Sequence, residues 1–579
     1  MIDTIVNSFD IWTDAQGIKS RIRVNSVENI SLEGIARLRE IIMELAVLGK
    51  LVPQDPNDEP ASVLLKTIEK ERDGSTTVKK RKKELPPYTG QILNSKITGW
   101  ELCKLEDIGD TNIGLTYSPN DVSVNGTIVL RSSNIQNGEI ELSDLVRVNK
   151  KINENVLVKQ SDLLICARNG SKKLVGKCAL IRSLPEPMAF GAFMAIFRSP
   201  FNEYCRLFIE SPIYRRNLEG VTTTTINQIT QDNLKSTYIS LPPFAEQQRI
   251  VAKVDELMSL CDKLEEEQFN NLKTHQVLVK TLLETLTQAA DSNELQAAWE
   301  RMSVLFDTLF CTEDSIDQLK QTILQLAITG KLVKHDANDE PSGVLIKKIA
   351  KEKDKLVKEG ILKKETSLSE IDDDEFPFQI PKNWEWVRLG NITNKIGSGS
   401  TPRGGNNTYT NSGILFLRSQ NIRNEGLLLA DVAFIDEATN RKMSNSIVIP
   451  KDILLNITGG SLGRCTIFPE ESGIANVSQH VTIIRPTVID SCFYLHACIL
   501  SPYIQDMIWG RQIGANREGL SKKILEQFEI PYPPLKEQKR IVTKIHELFK
   551  ICDLLTKRIN NSQVLKVSLS KTIVEKAVQ

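Results

Sequence analysis

Two stretches of the chain carry the same apolar rhythm. Ile250, Val254, Leu257, Cys261 and Leu264 are spaced alternately four and three apart, and Ile541, Ile545, Leu548, Cys552, Leu555 and Ile559 repeat the rhythm 291 positions later. That spacing lines side chains along one stripe of a helix and makes a seam for another helix. Both stretches open alike, as Leu241-Pro242-Pro243-Phe244-Ala245-Glu246-Gln247-Gln248-Arg249 and Tyr532-Pro533-Pro534-Leu535-Lys536-Glu537-Gln538-Lys539-Arg540. A proline pair is excluded from a helix interior and holds the preceding residue extended, so each helix starts just after the prolines. The first is predicted to run to about Thr287, roughly 40 residues or about 60 Å of rod; the second runs to Gln579. One such helix would read as an ordinary amphipathic helix on a core. Two with one seam predict long helices packed together.

A second pattern also occurs twice. Leu38 to Val52 reads as an amphipathic helix stopped by Gly49, and Leu319 to Val333 repeats it with Gly330-Lys331-Leu332-Val333, 281 positions on. Glycine just past a helix end is a standard stop. A turn follows each copy, Asn57-Asp58-Glu59-Pro60 and Asn338-Asp339-Glu340-Pro341. A short helix over about Ala61 to Arg72 comes next in the first copy. Charged, flexible connectors are predicted at Asp73 to Gln91 and at Lys351 to Glu375, and Ala289 to Cys311 reads as a link between the halves.

At Trp100-Glu101 and Trp384-Glu385 the character changes. Gly, Asn, Ser and Thr become frequent between short runs such as Thr127-Ile128-Val129-Leu130 and Ile414-Leu415-Phe416-Leu417, which predicts short strands and many turns. The halves match at Leu130-Arg131-Ser132-Ser133-Asn134-Ile135 and Leu417-Arg418-Ser419-Gln420-Asn421-Ile422, and at Asp162-Leu163-Leu164 and Asp452-Ile453-Leu454. They match again at Ser211-Pro212 and Ser501-Pro502, which read as helix N-caps followed by proline in the first turn. Ile113 to Val124 has little in common with Lys395 to Asn411. The expected organisation is a helical arm and linker over 1–99, a mixed segment over 100–240, a central helical region over 241–383, a second mixed segment over 384–530, and a terminal long helix over 531–579. The fold class is α+β: two mixed α/β recognition domains in a pseudo-two-fold arrangement, separated by long antiparallel coiled-coil-like helices. Such a molecule can offer similar faces to two half-sites of a DNA duplex.

Composition narrows the function. Seventy-three basic residues balance 73 acidic ones, which argues against non-specific coating of nucleic acid but leaves local basic surfaces open. The one dense basic run, Lys79-Lys80-Arg81-Lys82-Lys83, reads as a solvated linker. No run of 18 apolar residues exists and the N-terminus lacks the pattern of a signal peptide. The ten scattered cysteines have no metal spacing and read as reduced thiols. A cytoplasmic chain with no membrane and no metal is expected, with Cys261 and Cys552 as core residues of the seam.

The paired Pro-Pro-x-x-Glu-Gln-x-Arg-Ile-Val helices, the Gly-Lys-Leu-Val helices and the two Trp-Glu segments, in this order, resemble the specificity subunits of type I restriction-modification systems, the HsdS family. The resemblance covers nearly the whole chain. It implies two target-recognition domains, each reading half of an asymmetric bipartite site in double-stranded DNA. It also implies two bound methylating subunits of the HsdM type, which use S-adenosylmethionine to methylate adenine, and motor-nuclease subunits of the HsdR type. This chain would hold no cofactor. The reading of another class is a coiled-coil scaffold without DNA readout.

Candidate DNA contacts lie in loops. Gly397 to Gly405 offers close backbone approach at its glycines, hydroxyls for phosphate at Ser398, Ser400 and Thr401, and Arg403 for guanine; the loop resembles one that family members use against DNA. Its first-half equivalent is read as Thr116, Tyr117 and Ser118 before Pro119, without the glycines or the arginine. Arg131, Ser133 and Asn134, and Arg418, Gln420 and Asn421, follow apolar strands. Arginine and asparagine read guanine and adenine edges, but a motif shared by two readers equally suits a structural or phosphate role. Arg168, Asn169, Ser171 and Lys172 in the first half, and Ser461 and Arg464 in the second, lie in corresponding loops that differ between halves. Thr224 and Gln228, and Asn516 and Arg517, precede the returning helices. Each of these is either a groove contact or a solvated turn.

No catalytic group is expected. Adenine methylation needs a polar residue before Pro-Pro-aromatic, to grip the amino group of a flipped base. Leu85-Pro86-Pro87-Tyr88 and Leu241-Pro242-Pro243-Phe244 have leucine there. The five histidines are dispersed, and no phosphate-cradling glycine loop is present.

Overall fold

The glycine-stopped helix α1 (Glu33–Val47) buries Ile35, Leu38, Ile41, Ile42 and Leu45, the face its apolar spacing marks. Gly49 ends it at φ +65°, with Gly49 N donating to Ala46 O and Lys50 N to Leu45 O at 2.9 Å. That bond pair closes the orphan carbonyls of a helix end. The computed structural model describes residues 17–18, 30–73, 97–219, 228–363, 368, 371, 376–402, 408–510 and 520–578. The basic run Lys79 to Lys83, Leu85 to Tyr88, nearly all of the Asp73 to Gln91 connector, Thr224, Arg403, Asn516 and Arg517 lie outside the described residues. Residues 1–271 with 562–579 form one unit, and residues 272–561 a second.

In the first unit, α2 (Ala61–Asp73) follows the Asn-Asp-Glu-Pro turn. The mixed segment comprises β1 (Glu101–Lys104), β2 (Asp110–Ile113), β3 (Val122–Leu130), β4 (Arg147–Val148), β5 (Leu163–Cys166), β6 (Cys178–Leu180), β7 (Met188–Phe190) and β8 (Met194–Arg198). Helices α3 (Asn202–Glu210) and α4 (Pro212–Glu219) and strand β9 (Tyr238–Leu241) complete it before α5 (Phe244–Gln288). Four strands form an antiparallel sheet in the order β6-β5-β8-β2, and three form the order β7-β3-β4, with β7 parallel to β3. The first and last strands pair antiparallel, Glu101 opposite Leu241 and Lys104 opposite Tyr238. Ser211 caps α4 as its sequence suggests, its Oγ accepting from Tyr214 N.

The second unit repeats this order. α6 (Ser292–Val304), α7 (Glu313–Ile328) and α8 (Ser342–Lys358) precede β10 (Glu385–Arg388), β11 (Thr393–Ser398), β12 (Ile414–Leu417), β13 (Ala433–Ile435), β14 (Ile447–Val448), β15 (Ile453–Asn456), β16 (Cys465–Ile467), β17 (Ala475–Val477) and β18 (Val481–Pro486). Helices α9 (Cys492–Leu500) and α10 (Pro502–Gly510), strand β19 (Glu529–Tyr532) and helix α11 (Leu535–Val578) follow. The antiparallel sheet runs β11-β18-β15-β16, which is the first unit's order β2-β8-β5-β6. A second sheet runs β13-β12-β17-β14, and β10 pairs with β19, Glu385 opposite Tyr532.

The repeated motifs interlock within each unit. Arg249 ion-pairs with Asp58 of the first turn, and Arg540 with Asp339 of the second. Gln247 Nε2 donates to Pro242 O and Gln538 Nε2 to Pro533 O, each at 2.9 Å, so the proline carbonyls at the helix starts are satisfied. Trp100 Nε1 donates to Glu246 Oε2 at 3.0 Å, whereas Glu537 pairs with His335 at 2.6 Å.

The structure adds a partner to the seam and revises two expectations about the connectors. The seam residues Ile250, Val254 and Cys261 belong to the core that α1 enters, and Arg39 of α1 pairs with Asp262 and Glu265 of α5. Ile541, Ile545 and Cys552 share a core with α7, and Lys320 of α7 pairs with Asp553. Within each unit the seam is therefore covered by the glycine-stopped helix, whose apolar stripe has the matching spacing. The Lys351 to Glu375 connector begins as the last turns of α8, and the link after Ala289 is largely the helix α6, capped by Asp291.

Candidate nucleic-acid interface

Three predicted loops of the second unit meet around one turn, Ser478-Gln479-His480, between β17 and β18. After β11, Ser398 Oγ lies 2.9 Å from Thr482 Oγ1 and Gly399 N donates to Val481 O at 3.1 Å. A Cβ on Gly399 would fall on the carbonyl of Val477, so this glycine is required by close backbone approach. After β12, Ser478 N donates to Leu417 O, and Asn456 Nδ2 reaches back to Ser419 O, both at 2.9 Å. After β15, Ile457 N donates to His480 O at 3.0 Å and Thr458 Oγ1 lies 2.7 Å from His480 Nδ1. Ser400, Thr401, Gln420, Gln479 and His480 are exposed along this cluster; Ser461 and Arg464 are half-buried beside it.

The first unit builds the same cluster around Gly191-Ala192-Phe193. Gly114 N donates to Met194 O at 3.3 Å, Gly191 N to Leu130 O at 3.0 Å, and Ala167 N and Arg168 N to Phe193 O at 2.9 and 3.0 Å. Gly114 thus stands where Gly399 does, two residues ahead of Thr116, and the first loop has its glycine after all. Asn169 Nδ2 donates to Ser132 Oγ at 3.3 Å, and its Oδ1 accepts from Ser171 N at 2.9 Å. Arg168 pairs with Gln228 through an isolated bridge, which ties the last expected contact to this face. Thr116, Ser133, Arg168, Ser171, Lys172 and Gln228 are exposed. Tyr117 packs on Val129 and Ala189. Ser118 gives its backbone N–H (2.7 Å) and hydroxyl (3.1 Å) to Asp121, which holds that carboxyl below the usual range.

Asn134 and Asn421 require correction as base readers. Both are 1% exposed. Asn134 Oδ1 accepts from Arg131 N, and its Nδ2 donates to Glu141 O and Asp144 O at 3.0 and 2.8 Å. Asn421 repeats the pattern with Arg418 N and Leu428 O, both at 2.9 Å. A buried amide with its bonds made holds a loop, which explains why two segments with different loops share the motif. Arg131 and Arg418 are half-buried, one bound to Asp144 and the other to Asp431 O.

The turn residues Phe193, Gln479 and His480 carried no motif. The usable signal was the interval between corresponding short strands, Met188-Ala189-Phe190 to Met194 and Ala475-Asn476-Val477 to Val481, which holds three unlike residues in each half. Phe193 is 60% exposed, with the Arg168 guanidinium 5.3 Å from its ring centroid. Burial raises the Cys166 thiol above its ordinary value. Among the described residues, no helix is long and apolar enough to cross a membrane.

Known proteins agree with this architecture. The family described as type I restriction modification DNA specificity domain matches twice, over residues 97–274 and 381–562. The chain is 33% identical to the EcoAI specificity subunit and 32% identical to the EcoEI specificity subunit of type I restriction enzymes from Escherichia coli, covering 99% of both partners in each case. The EcoKI specificity subunit of Escherichia coli strain K12 is 23% identical over 83% of this chain and 88% of its own length. With two recognition-domain matches and full-length likeness to such subunits, the chain belongs to the type I restriction-modification specificity subunit family.

Proposed function

We propose that the chain is the sequence-reading subunit of a type I restriction-modification complex, with recognition domains at 100–240 and 384–530 that each read one half of an asymmetric bipartite DNA site. One observation carries this: a single backbone framework occurs twice, and the loops it holds together differ in side chain. Equal frameworks fix two readers alike, and unequal loops let them read different bases. Exposed Lys172, with the hydroxyls of Thr401, Ser400 and Ser133, positions phosphates; the other exposed polar residues of these loops, Arg168, Gln228 and Gln420 among them, face base edges.

The helices α5 and α11, of 45 and 44 residues, set the number of base pairs between the half-sites and dock two HsdM-type methylating subunits. Those subunits bind S-adenosylmethionine and transfer the methyl group, and HsdR-type motor-nuclease subunits join them. This chain contributes no catalytic group. Its Pro242-Pro243 pair lies where the helix start uses it, with Pro242 O accepting from Gln247.

The test is to purify the chain with its methylating partner, map methylated adenines in host DNA, and replace residues 100–240 by another reader. One half of the methylated motif should change while the other half and the spacer stay. A change in both halves refutes the assignment. A scaffold without DNA readout gives no methylated motif and no steep salt dependence of DNA binding.

A further inference from the structure

We propose that the three-residue turn before the fourth common strand, Gly191-Ala192-Phe193 in the first domain and Ser478-Gln479-His480 in the second, is a base-reading tip that distinguishes the two half-sites. The inference rests on the DNA-reading function above and names the residues that would carry its specificity.

The two turns have one backbone. Met194 N donates to Gly191 O at 2.8 Å, and Val481 N to Ser478 O at 3.0 Å. Gly191 and Ser478 both donate to the end of the strand before the asparagine loop, at Leu130 O and Leu417 O. Phe193 O and His480 O both accept from the loop after the second sheet strand, at Ala167 N and Ile457 N. Each turn is thus pinned on three sides by bonds that involve no side chain of the turn itself. The exposed side chains of Phe193 and Gln479 take no part in those bonds and can vary without moving the backbone.

They vary in chemistry as well as size. The first tip ends in an apolar ring that is 60% exposed, with Arg168 over it. Full burial of such a ring would favour it by about 2 kcal/mol; here most of it is left to solvent, with one face toward the Arg168 guanidinium. Against DNA it can contact a thymine methyl group or a base face, and Arg168 beside it can reach guanine O6 and N7. The second tip offers Gln479, an amide suited to adenine N6 and N7, and His480, whose Nδ1 is already engaged by Thr458 and whose Nε2 lies 3.4 Å from Gln479 Nε2. One tip therefore favours a methyl or a guanine, and the other an adenine edge.

The experiment uses the full chain with its methylating partner and duplexes carrying every single-base change in each half-site. Phe193→Ala and Phe193→His test the first tip, and Gln479→Ala the second. The expected result is that discrimination at one base position of one half-site falls about tenfold or more, while the other half-site keeps its full profile. Two results overturn the inference: an unchanged profile for all three variants, or weakening that is uniform across every base change, which marks a phosphate or structural role. If the unaltered complex shows no bipartite site at all, the DNA-reading function fails with it; a bipartite site that the variants leave intact sinks only the tip assignment.

Discussion

Arg198 grips both carboxylate oxygens of Asp162, at 2.7 and 2.6 Å, and Asp162 is 1% exposed. Arg485 and Asp452 repeat this pair at 2.7 Å on both bonds. The acidic partners precede β5 and β15 and the arginines end β8 and β18 or lie within them, so each pair locks two central neighbours of a sheet beside the candidate loops. Arg198→Ala leaves a buried carboxylate with only the Lys159 N–H. The expected loss is about 3 kcal/mol in the first unit. Amide exchange of β5 and β8 in the variant should accelerate while that of β15 and β18 stays unchanged.

The buried asparagines predict a different outcome. Asn134→Ala strips the partners from Arg131 N, Glu141 O and Asp144 O, each group costing about 1–3 kcal/mol if left unsatisfied. Stability should fall by about 2 kcal/mol or more after partial hydration of the loop. Base preference should be retained, because the amide touches only its own loop. Thermal unfolding and the methylated motif, measured together, separate the two roles.

His496 sets a pH dependence in the second unit. Burial lowers its imidazole to about 4, and its Nε2 lies 3.2 Å from Cys465 O. The unfolded imidazole titrates near 6.5. Because the folded value is the lower one, the contribution is complete above pH of about 6.5, is lost as pH falls, and is spent below about 4. At about 1.4 kcal/mol per pH unit the loss reaches at most about 3 kcal/mol. Urea unfolding of the wild type at pH 7.5 and 5, against His496→Gln, should show a steeper decline in the wild type.

The two helix-stopping glycines should differ in sensitivity. At Gly330, φ +73°, a Cβ would run into Cγ of Pro381, part of a rigid ring. At Gly49 the nearest atom is Ile97 Cδ1 at 2.7 Å, the free end of a flexible side chain. The left-handed conformation alone costs alanine about 1–2 kcal/mol. Gly330→Ala is expected to exceed that cost and Gly49→Ala to stay within it, as read from the two melting curves.

The long helices were legible because nothing competes with them: an uninterrupted 4-3 stripe after a proline pair has one regular solution. α5 ends at Gln288, one residue beyond the expected end. What covers the seam was not legible, since α1, α7 and the other long helix all carry the apolar stripe that fits it. α6 was missed because its 13 residues bury only Ala298 and Met302. The candidate loops were singled out by their polar composition, but composition says nothing about direction. Asn134 turned inward because its neighbours' backbone groups needed partners, and Phe193 outward because its turn is held by carbonyls and amides alone.

Glu101 lies opposite Leu241, and Glu385 opposite Tyr532. The polypeptide therefore enters and leaves each reader through the same doorway. A pair of genetic crossovers, one at each strand of such a doorway, would exchange everything between them and leave the helix downstream in frame and in rotational phase. With each domain reading one half-site as proposed, one such exchange would replace a half-specificity and leave the surface of the helices unaltered.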